Sequence, residues 1–401
     1  MELDTCVSIQ TIGTLQDHTT VMSKFIAPAF LAGLACYVGW KQLKKTSSTG
    51  NPRVLVLGGA GYIATHTIVC LLSQDYDVTV VDNFVNSNVE SLNRVRKISG
   101  CAADRLLAFD CDMCDKAALE RVFRKSPKFV ACIQFAGLKA VGESVAKPLL
   151  YYENNLISTL NLLRCMEKFD VPSIVFSSSA TVYGSAAVPI TENSLVGSGI
   201  TNPYGRTKYM IEEILQDWHK ANPHKSVVTL RYFNPVGSHP SGMIGEDPNG
   251  IPNNLMPFVS QVAVGRRPHV NVFGNDYDTP DGTGVRDYIH VMDLSEGHVA
   301  ALKYIEKETT AAGGEESSYS VFNLGTGSGV SVLEMIQAME VAAGKEIPYR
   351  MAARREGDIA TCYADPSKAK DVLGWTASRS LAEMCTDLWT WQSNNPNGFG
   401  K

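Results

Sequence analysis

The stretch that decides the fold runs from Arg53 to Ala64, Arg53-Val54-Leu55-Val56-Leu57-Gly58-Gly59-Ala60-Gly61-Tyr62-Ile63-Ala64. Its first part, RVLVL, reads as a buried strand, and the residues from Tyr62 to about Gln74 read as an amphipathic helix. Between them Gly58, Gly59 and Gly61 make a turn whose backbone can approach a pyrophosphate. The phosphates then sit at the helix N-terminus, among unpaired N–H groups and the positive end of the dipole. A glycine loop alone is weak evidence. Asp82 adds weight, at the end of the next apolar run (Asp77 to Val81, DVTVV) and about 20 residues on. A carboxylate there accepts hydrogen bonds from ribose hydroxyls and repels a 2′-phosphate, so the pattern implies NAD rather than NADP.

Outward from this unit, Leu106 to Phe109, Phe129 to Phe135 and Ser173 to Phe176 read as further strands with helix-like segments between them. Repeated βα units imply an α/β fold, a doubly wound Rossmann-type parallel sheet covered on both faces. Beyond Asn234 the texture changes to loops rich in Gly, Pro and Asn, then to shorter mixed elements. The expected division is a dinucleotide-binding domain over 52–234, a smaller mixed α/β substrate domain over 235–401, and an N-terminal extension over 1–51. Glu306 to Ser318 (EKETTAAGGEESS) is expected to be an exposed loop.

A net charge of -5, a pI near 5.9 and the absence of any Lys/Arg block exclude a nucleic-acid footprint and point to small-molecule partners. The 10 cysteines are scattered from Cys6 to Cys385, unlike a secreted disulfide framework, which implies a reducing compartment. Cys111-Asp112-Met113-Cys114 has no second Cys/His pair at ligand spacing, and the 8 histidines form no constellation, so no metal is expected. Residues 25–40 (FIAPAFLAGLACYVGW) carry no charge and are bracketed by Lys24 and by Lys41, Lys44 and Lys45. They are a candidate apolar anchor helix of roughly 24 Å, short of the roughly 30 Å hydrocarbon core. The lysines that follow place the catalytic part on the cytosolic side.

A second constellation is Asn202-Pro203-Tyr204-Gly205-Arg206-Thr207-Lys208. Asn202 suits an N-cap and Pro203 the first helical position. Tyr204 and Lys208 then share a helix face, where the ammonium is expected to favour the ionised phenol. Such a phenol can take a proton from a sugar hydroxyl near neutral pH. Ser177-Ser178-Ser179-Ala180-Thr181, just after an expected strand, offers hydroxyls to bind and relay.

These motifs, with Phe135 to Val145 (FAGLKAVGESV), Ser177 to Gly184 (SSSATVYG), Arg231 to Gly237 (RYFNPVG), Gly250 to Pro257 (GIPNNLMP), Gly284 to Asp293 (GVRDYIHVMD) and Arg354 to Asp358 (RREGD), resemble the UDP-glucose 4-epimerase family of extended short-chain dehydrogenases/reductases. The resemblance covers nearly everything from Arg53 to Phe399. It implies Tyr204 as catalytic acid/base, Lys208 as the tuner of Tyr204 and a binder of the nicotinamide ribose, and Ser179 and Thr181 on the substrate hydroxyls. Gly58, Gly61, Tyr62, Ile63, Asp82, Asn83, Asp112, Phe135, Lys139 and Asn154 would line the NAD pocket. Asn234, Asn254, Arg286, Arg355 and Asp358 would hold the UDP-sugar. Cys362 stands where the family places a tyrosine or a small residue beside C2 of the sugar, which implies room for an N-acetyl group. A homodimer on paired helices is also implied. Leu57, Ala64 and Gln134 depart from the usual threonine, glycine and histidine. The alternatives are a UDP-pentose or UDP-uronate 4-epimerase, a dehydratase, and a non-catalytic NAD or UDP-sugar sensor. A dehydratase needs an acidic pair that Ser179-Ala180-Thr181 lacks, and a sensor should have lost Tyr204 or Lys208.

Overall fold

The computed structural model describes residues 50–311, 317–355 and 357–400. The first half alternates β1 (Arg53–Leu57), α1 (Tyr62–Ser73), β2 (Asp77–Asp82), α2 (Val89–Ser99), β3 (Leu106–Asp110), α3 (Lys116–Lys125), β4 (Ala131–Gln134), α4 (Val141–Ala146), α5 (Pro148–Lys168), β5 (Ser173–Ser179), α6 (Pro203–Ala221) and β6 (Ser226–Tyr232). After these come β7 (Asn234–Val236), α7 (Leu255–Ala263), β8 (Val270–Phe273), β9 (Val285–Arg286), β10 (Tyr288–His290), α8 (Val291–Ala311), β11 (Tyr319–Leu324), β12 (Val330–Ser331), α9 (Val332–Ala343), β13 (Tyr349–Ala352), β14 (Thr361–Cys362) and α10 (Leu381–Asn394).

A 7-stranded sheet in the order β11-β6-β5-β4-β1-β2-β3, parallel throughout, forms the centre. Each face has its own core. Val54, Val56, Ile133 and Leu230 pack with Ile68, Leu294 and Leu302 on one side; Leu55, Leu57, Phe176 and Val227 pack with Leu162, Ile211 and Leu215 on the other. A smaller cluster of Val259, Met335, Ile336, Met339, Leu388 and Trp391 organises the later elements.

Four expectations are corrected. Helix α1 is buried from Ala64 to Leu72 rather than amphipathic, because it lies between the sheet and α8. The strand expected over Phe129 to Phe135 pairs only over Ala131–Gln134, whereas the one expected to end at Phe176 continues to Ser179 against β6. Glu306 to Ala311 belongs to α8, whose last turns are held by Ile305, 1% exposed, and by the Thr309 and Thr310 hydroxyls donating to the Ile305 and Glu306 carbonyls. Beyond residue 234, β11 pairs with β6 and α8 packs against α1, so both elements add to the layers of the first sheet. The candidate anchor at 25–40 lies outside the described residues. Among the described residues no helix is long and apolar enough to cross a membrane.

Candidate active site

Strand order reverses between β1 and β4, and the crevice outside their C-terminal ends is where an open α/β sheet takes a ligand. Gly58 turns there with φ +72°; a Cβ on it would lie 2.7 Å from the Ala136 nitrogen, just past β4. Gly61 begins α1 without a capping side chain, leaving the first-turn N–H groups of Tyr62 and Ile63 for a ligand. Ala64, in the third-glycine position, is 1% exposed, and a methyl group fits between helix and strand.

Asp82 stands beside this loop. Its Oδ2 accepts the Ala60 N–H at 2.9 Å, and its Oδ1 accepts the Phe84 N–H at 2.9 Å and the Ser87 hydroxyl at 2.8 Å. The residue therefore shapes the glycine loop as well as offering a carboxylate. Asn83 is exposed and caps the Val85 N–H, and Asp112, also exposed, accepts the Cys114 N–H at 2.8 Å. Burial pushes the Cys111 and Cys114 thiols up to about 11, and among the described residues no cluster suits a metal. Phe135 packs its ring 4.8 Å from that of His298. The Tyr62 hydroxyl donates to the Gly237 carbonyl at 2.6 Å and joins the loop to the chain after β7.

Lys139 and Asn254, far apart in sequence, meet on the same oxygen of Glu246, each at 3.3 Å. Asn154 donates to Asn155 Oδ1 at 3.0 Å. Asn155 in turn brackets Leu138, accepting its N–H at 2.8 Å and donating to its carbonyl at 3.0 Å, and donates to Thr207 Oγ1 at 3.0 Å. Sequence reasoning missed Glu246 and Asn155. Neither lies in a quoted motif or carries a local signal.

Helix α6 begins as its sequence dictates, with Asn202 Oδ1 accepting the Gly205 N–H at 2.8 Å and Pro203 in the first turn. Tyr204 and Lys208 come to one face. The Lys208 ammonium donates to the Ser177 carbonyl at 2.6 Å and stands 6.0 Å from the Tyr204 ring centroid. Ser179, at the end of β5, favours the ionised form of the Tyr204 phenol. One electrostatic expectation is corrected: burial pushes the Tyr204 phenol up, opposed by Ser179, rather than down. Burial also lowers the Lys208 amine to about 8, with Glu212 opposing. Desolvation disfavours the charged form of both groups and outweighs their proximity. Thr181 Oγ1 is buried beside the start of α6 with no hydrogen-bond partner among the described residues, an orphan that suits a sugar hydroxyl.

On the far wall, β9 pairs with β14, which sets Arg286 opposite Cys362. Burial pushes the Cys362 thiol up to about 11, so it behaves as a small apolar side chain, packed against the cluster of Val182, Ile190 and Phe233. Arg286 donates to the Val285 carbonyl at 2.8 Å, and Arg286 and Arg355 both act electrostatically on Tyr288. Arg355 and Asp358, expected to hold substrate separately, pair with each other at 2.8 Å on an exposed loop. Such an exposed pair is worth about 0–1 kcal/mol. Asn234 is exposed at the start of β7, tied through its N–H to the Asp287 carbonyl at 2.9 Å. Asp287, another residue missed, accepts the Thr326, Gly327 and Ala364 N–H groups at 2.8, 3.1 and 3.1 Å and so organises this wall.

A tyrosine and a lysine on one helix face, at the edge of a parallel sheet that also carries a dinucleotide-type glycine loop, is the plan of an extended short-chain dehydrogenase/reductase. A family model described as GDP-mannose 4,6 dehydratase matches residues 55–388. The UDP-glucose 4-epimerase of Bacillus subtilis is 58% identical over 86% of this chain and 98% of its own length, and that of Homo sapiens is 55% identical over 87% and 98%. The crystal structure of the Bifidobacterium longum UDP-glucose 4-epimerase in complex with NAD+ and UDP superposes with a TM-score of 0.81 at 54% identity, covering 86% of this chain and 99% of that one. The chain belongs to the UDP-glucose 4-epimerase family.

Proposed function

We propose that this chain interconverts UDP-galactose and UDP-glucose through a 4-keto sugar, using bound NAD, with Tyr204 as the acid/base. The observation that carries the assignment of roles is Lys208 on the Tyr204 face of α6, donating to the Ser177 carbonyl with its ammonium 6.0 Å from the Tyr204 ring centroid, at the sheet edge that also presents Gly58 and Asp82. The residues fit NAD. Gly58 and Gly61 leave space at an uncapped helix start, and Asp82 adjoins it with lone pairs to spare. Asn83, Asp112, Phe135, Lys139 and Asn154 would complete that pocket, assigning 52–234 to the cofactor and 235–401 to UDP-sugar. NAD supplies the oxidising and reducing power at C4 when bound. Tyr204 Oη accepts the 4-hydroxyl proton, Ser179 orients that hydroxyl, and Lys208 favours the charge left on the phenolate. Arg286, Arg355, Asn234 and Asn254 anchor the diphosphate and uridine while the sugar stays loosely held, which lets the ketone turn and be reduced on its other face. Full-length protein should convert UDP-galactose to UDP-glucose. A folded protein that leaves it unchanged even with NAD added would overturn the hexose assignment in favour of a pentose or uronate.

The small Cys362 wall supports activity on UDP-N-acetylglucosamine and UDP-N-acetylgalactosamine as well. Cys362→Tyr is expected to depress the N-acetyl reaction about 10- to 100-fold while sparing UDP-galactose. Absence of any N-acetyl turnover in the parent would refute this.

Exposed Val145, Leu149, Leu150 and Ile157 on α4 and α5, with Met210 on adjoining α6, support a homodimer. Light scattering should give twice the chain mass, and a monomer at assay concentration would remove the dimer. Residues 25–40 would tether the cytosolic enzyme to a membrane. Recovery of the full chain in the soluble fraction of fractionated cells would remove the tether.

A further inference from the structure

The Tyr204 and Lys208 face of α6 continues to Glu212, four residues further on. Its carboxylate is 4% exposed and takes a two-pronged contact from Arg231, Nε to Oε1 at 3.1 Å and Nη2 to Oε2 at 2.6 Å. The Ser178 hydroxyl donates to the same carboxylate. Ser178 and Arg231 are register partners on β5 and β6, so Glu212 stitches α6 to two strands beside the reacting groups. Ser177, whose carbonyl receives Lys208, and Ser179, which meets Tyr204, flank Ser178 directly. Arg231 Nη1 goes on to the Tyr183 hydroxyl at 2.9 Å, which donates to Asn323 Oδ1 at 2.7 Å. A buried ion pair is poor evidence of stability, because well-packed apolar residues often do as well in its place. One built against the reacting face has a different use.

We propose that Glu212 is a positioning residue for the reaction, clamping α6 to β5 and β6 so that Tyr204 and Lys208 meet Ser179 and Ser177, and supplying the negative charge that Lys208 faces on its own helix. This rests on the reading of Tyr204 and Lys208 as the reacting pair. The charged and titratable groups around that face are Tyr204, Tyr209 and Glu212 on α6, Arg231 and Tyr232 on β6, Tyr319 on β11, Tyr183 after β5, and Tyr151 on α5, itself bonded to Glu143 of α4. His298 of α8 bonds the Tyr232 hydroxyl, and β5 contributes the Ser177 carbonyl, the Phe176 ring 4.9 Å from the Lys208 ammonium, and neutral hydroxyls. Burial draws Lys208 down to about 8, and Glu212 is the group that opposes it. Neutralising Glu212 while Arg231 remains lowers the amine further, so the ammonium is lost at lower pH.

The test is Glu212→Gln, assayed on UDP-galactose across pH beside Glu212→Asp, the double variant Glu212→Gln/Arg231→Met, and Tyr204→Phe. Glu212→Gln should lose about tenfold or more in kcat near pH 8, with its alkaline fall displaced to lower pH by about one unit and KM changed by less than about twofold. Glu212→Asp, which keeps the charge, should restore the position of that limb. Thermal midpoints should place Glu212→Gln below the double variant, because only the single change leaves a buried guanidinium unpaired. Should Glu212→Gln not fold, the double variant, which also lacks the clamp, carries the measurement and should show the loss in kcat. A folded variant lacking Glu212 with the parent's kcat and limb, while Tyr204→Phe is inactive, overturns the proposal and leaves the catalytic reading standing. A fully active Tyr204→Phe overturns the catalytic reading itself.

Discussion

Tyr204→Phe is expected to slow the conversion of UDP-galactose to UDP-glucose by about 10²- to 10⁴-fold, the range for losing a positioned acid/base. The substitution removes one oxygen and leaves the surroundings in place. Asn202 still caps α6 through the Gly205 N–H, and Lys208 still donates to the Ser177 carbonyl. The thermal midpoint and KM should therefore change little while kcat collapses. Burial raises the phenol, so in the parent enzyme the rate should climb with pH as Tyr204 becomes able to accept a proton, and the variant should lose that dependence. The measurement is kcat against pH for both proteins. A variant retaining more than about a tenth of the parent rate would be outside what acid/base removal allows and would point to another group.

Gly58→Ala has the largest expected effect on the fold. The new Cβ would lie 2.7 Å from the Ala136 nitrogen and 2.8 Å from its Cα, at a residue with φ +72°. These are backbone atoms and cannot swing aside. Ala136 and Phe135 both donate to the Leu57 carbonyl, so relieving the clash loosens the β1–β4 junction on which the crevice depends. An overpacking cost of about 1–3 kcal/mol adds to about 1 kcal/mol for a left-handed alanine, a large part of a typical 5–15 kcal/mol stability. Gly61→Ala is the informative control. With φ -74° and only the Gly58 carbonyl at 3.2 Å, it should fold nearly as well yet obstruct the pyrophosphate. Chemical denaturation and the NAD content of purified protein separate the two. Equal stability of Gly58→Ala and parent would refute the steric account.

The features legible beforehand are those whose cause is local. The apolar run Val54 to Leu57 followed by glycines can only be a buried strand entering a turn, and Asn202-Pro203 sets the start of α6 through one side-chain bond and one fixed φ. Once that start is set, helical geometry brings Tyr204 and Lys208 to one face whatever surrounds them. By the same token Asp82 could be placed at the end of β2 by its motif alone.

Tertiary structure decided whatever depends on which elements meet. Whether Glu306 continues a helix, and whether residues 319–324 return to the first sheet, turned on what α8 and β11 pack against. The convergence of Lys139 and Asn254 on Glu246, and of Ser178 and Arg231 on Glu212, joins residues that share no local pattern. The sign of the Tyr204 shift belongs here too. Sequence spacing places a cation near the phenol, but desolvation is a property of the assembled interior, and at this site it is the stronger of the two. Backbone propensity and periodicity act over a few residues and are written in the chain, whereas burial and long-range pairing exist only once distant segments have closed around one another.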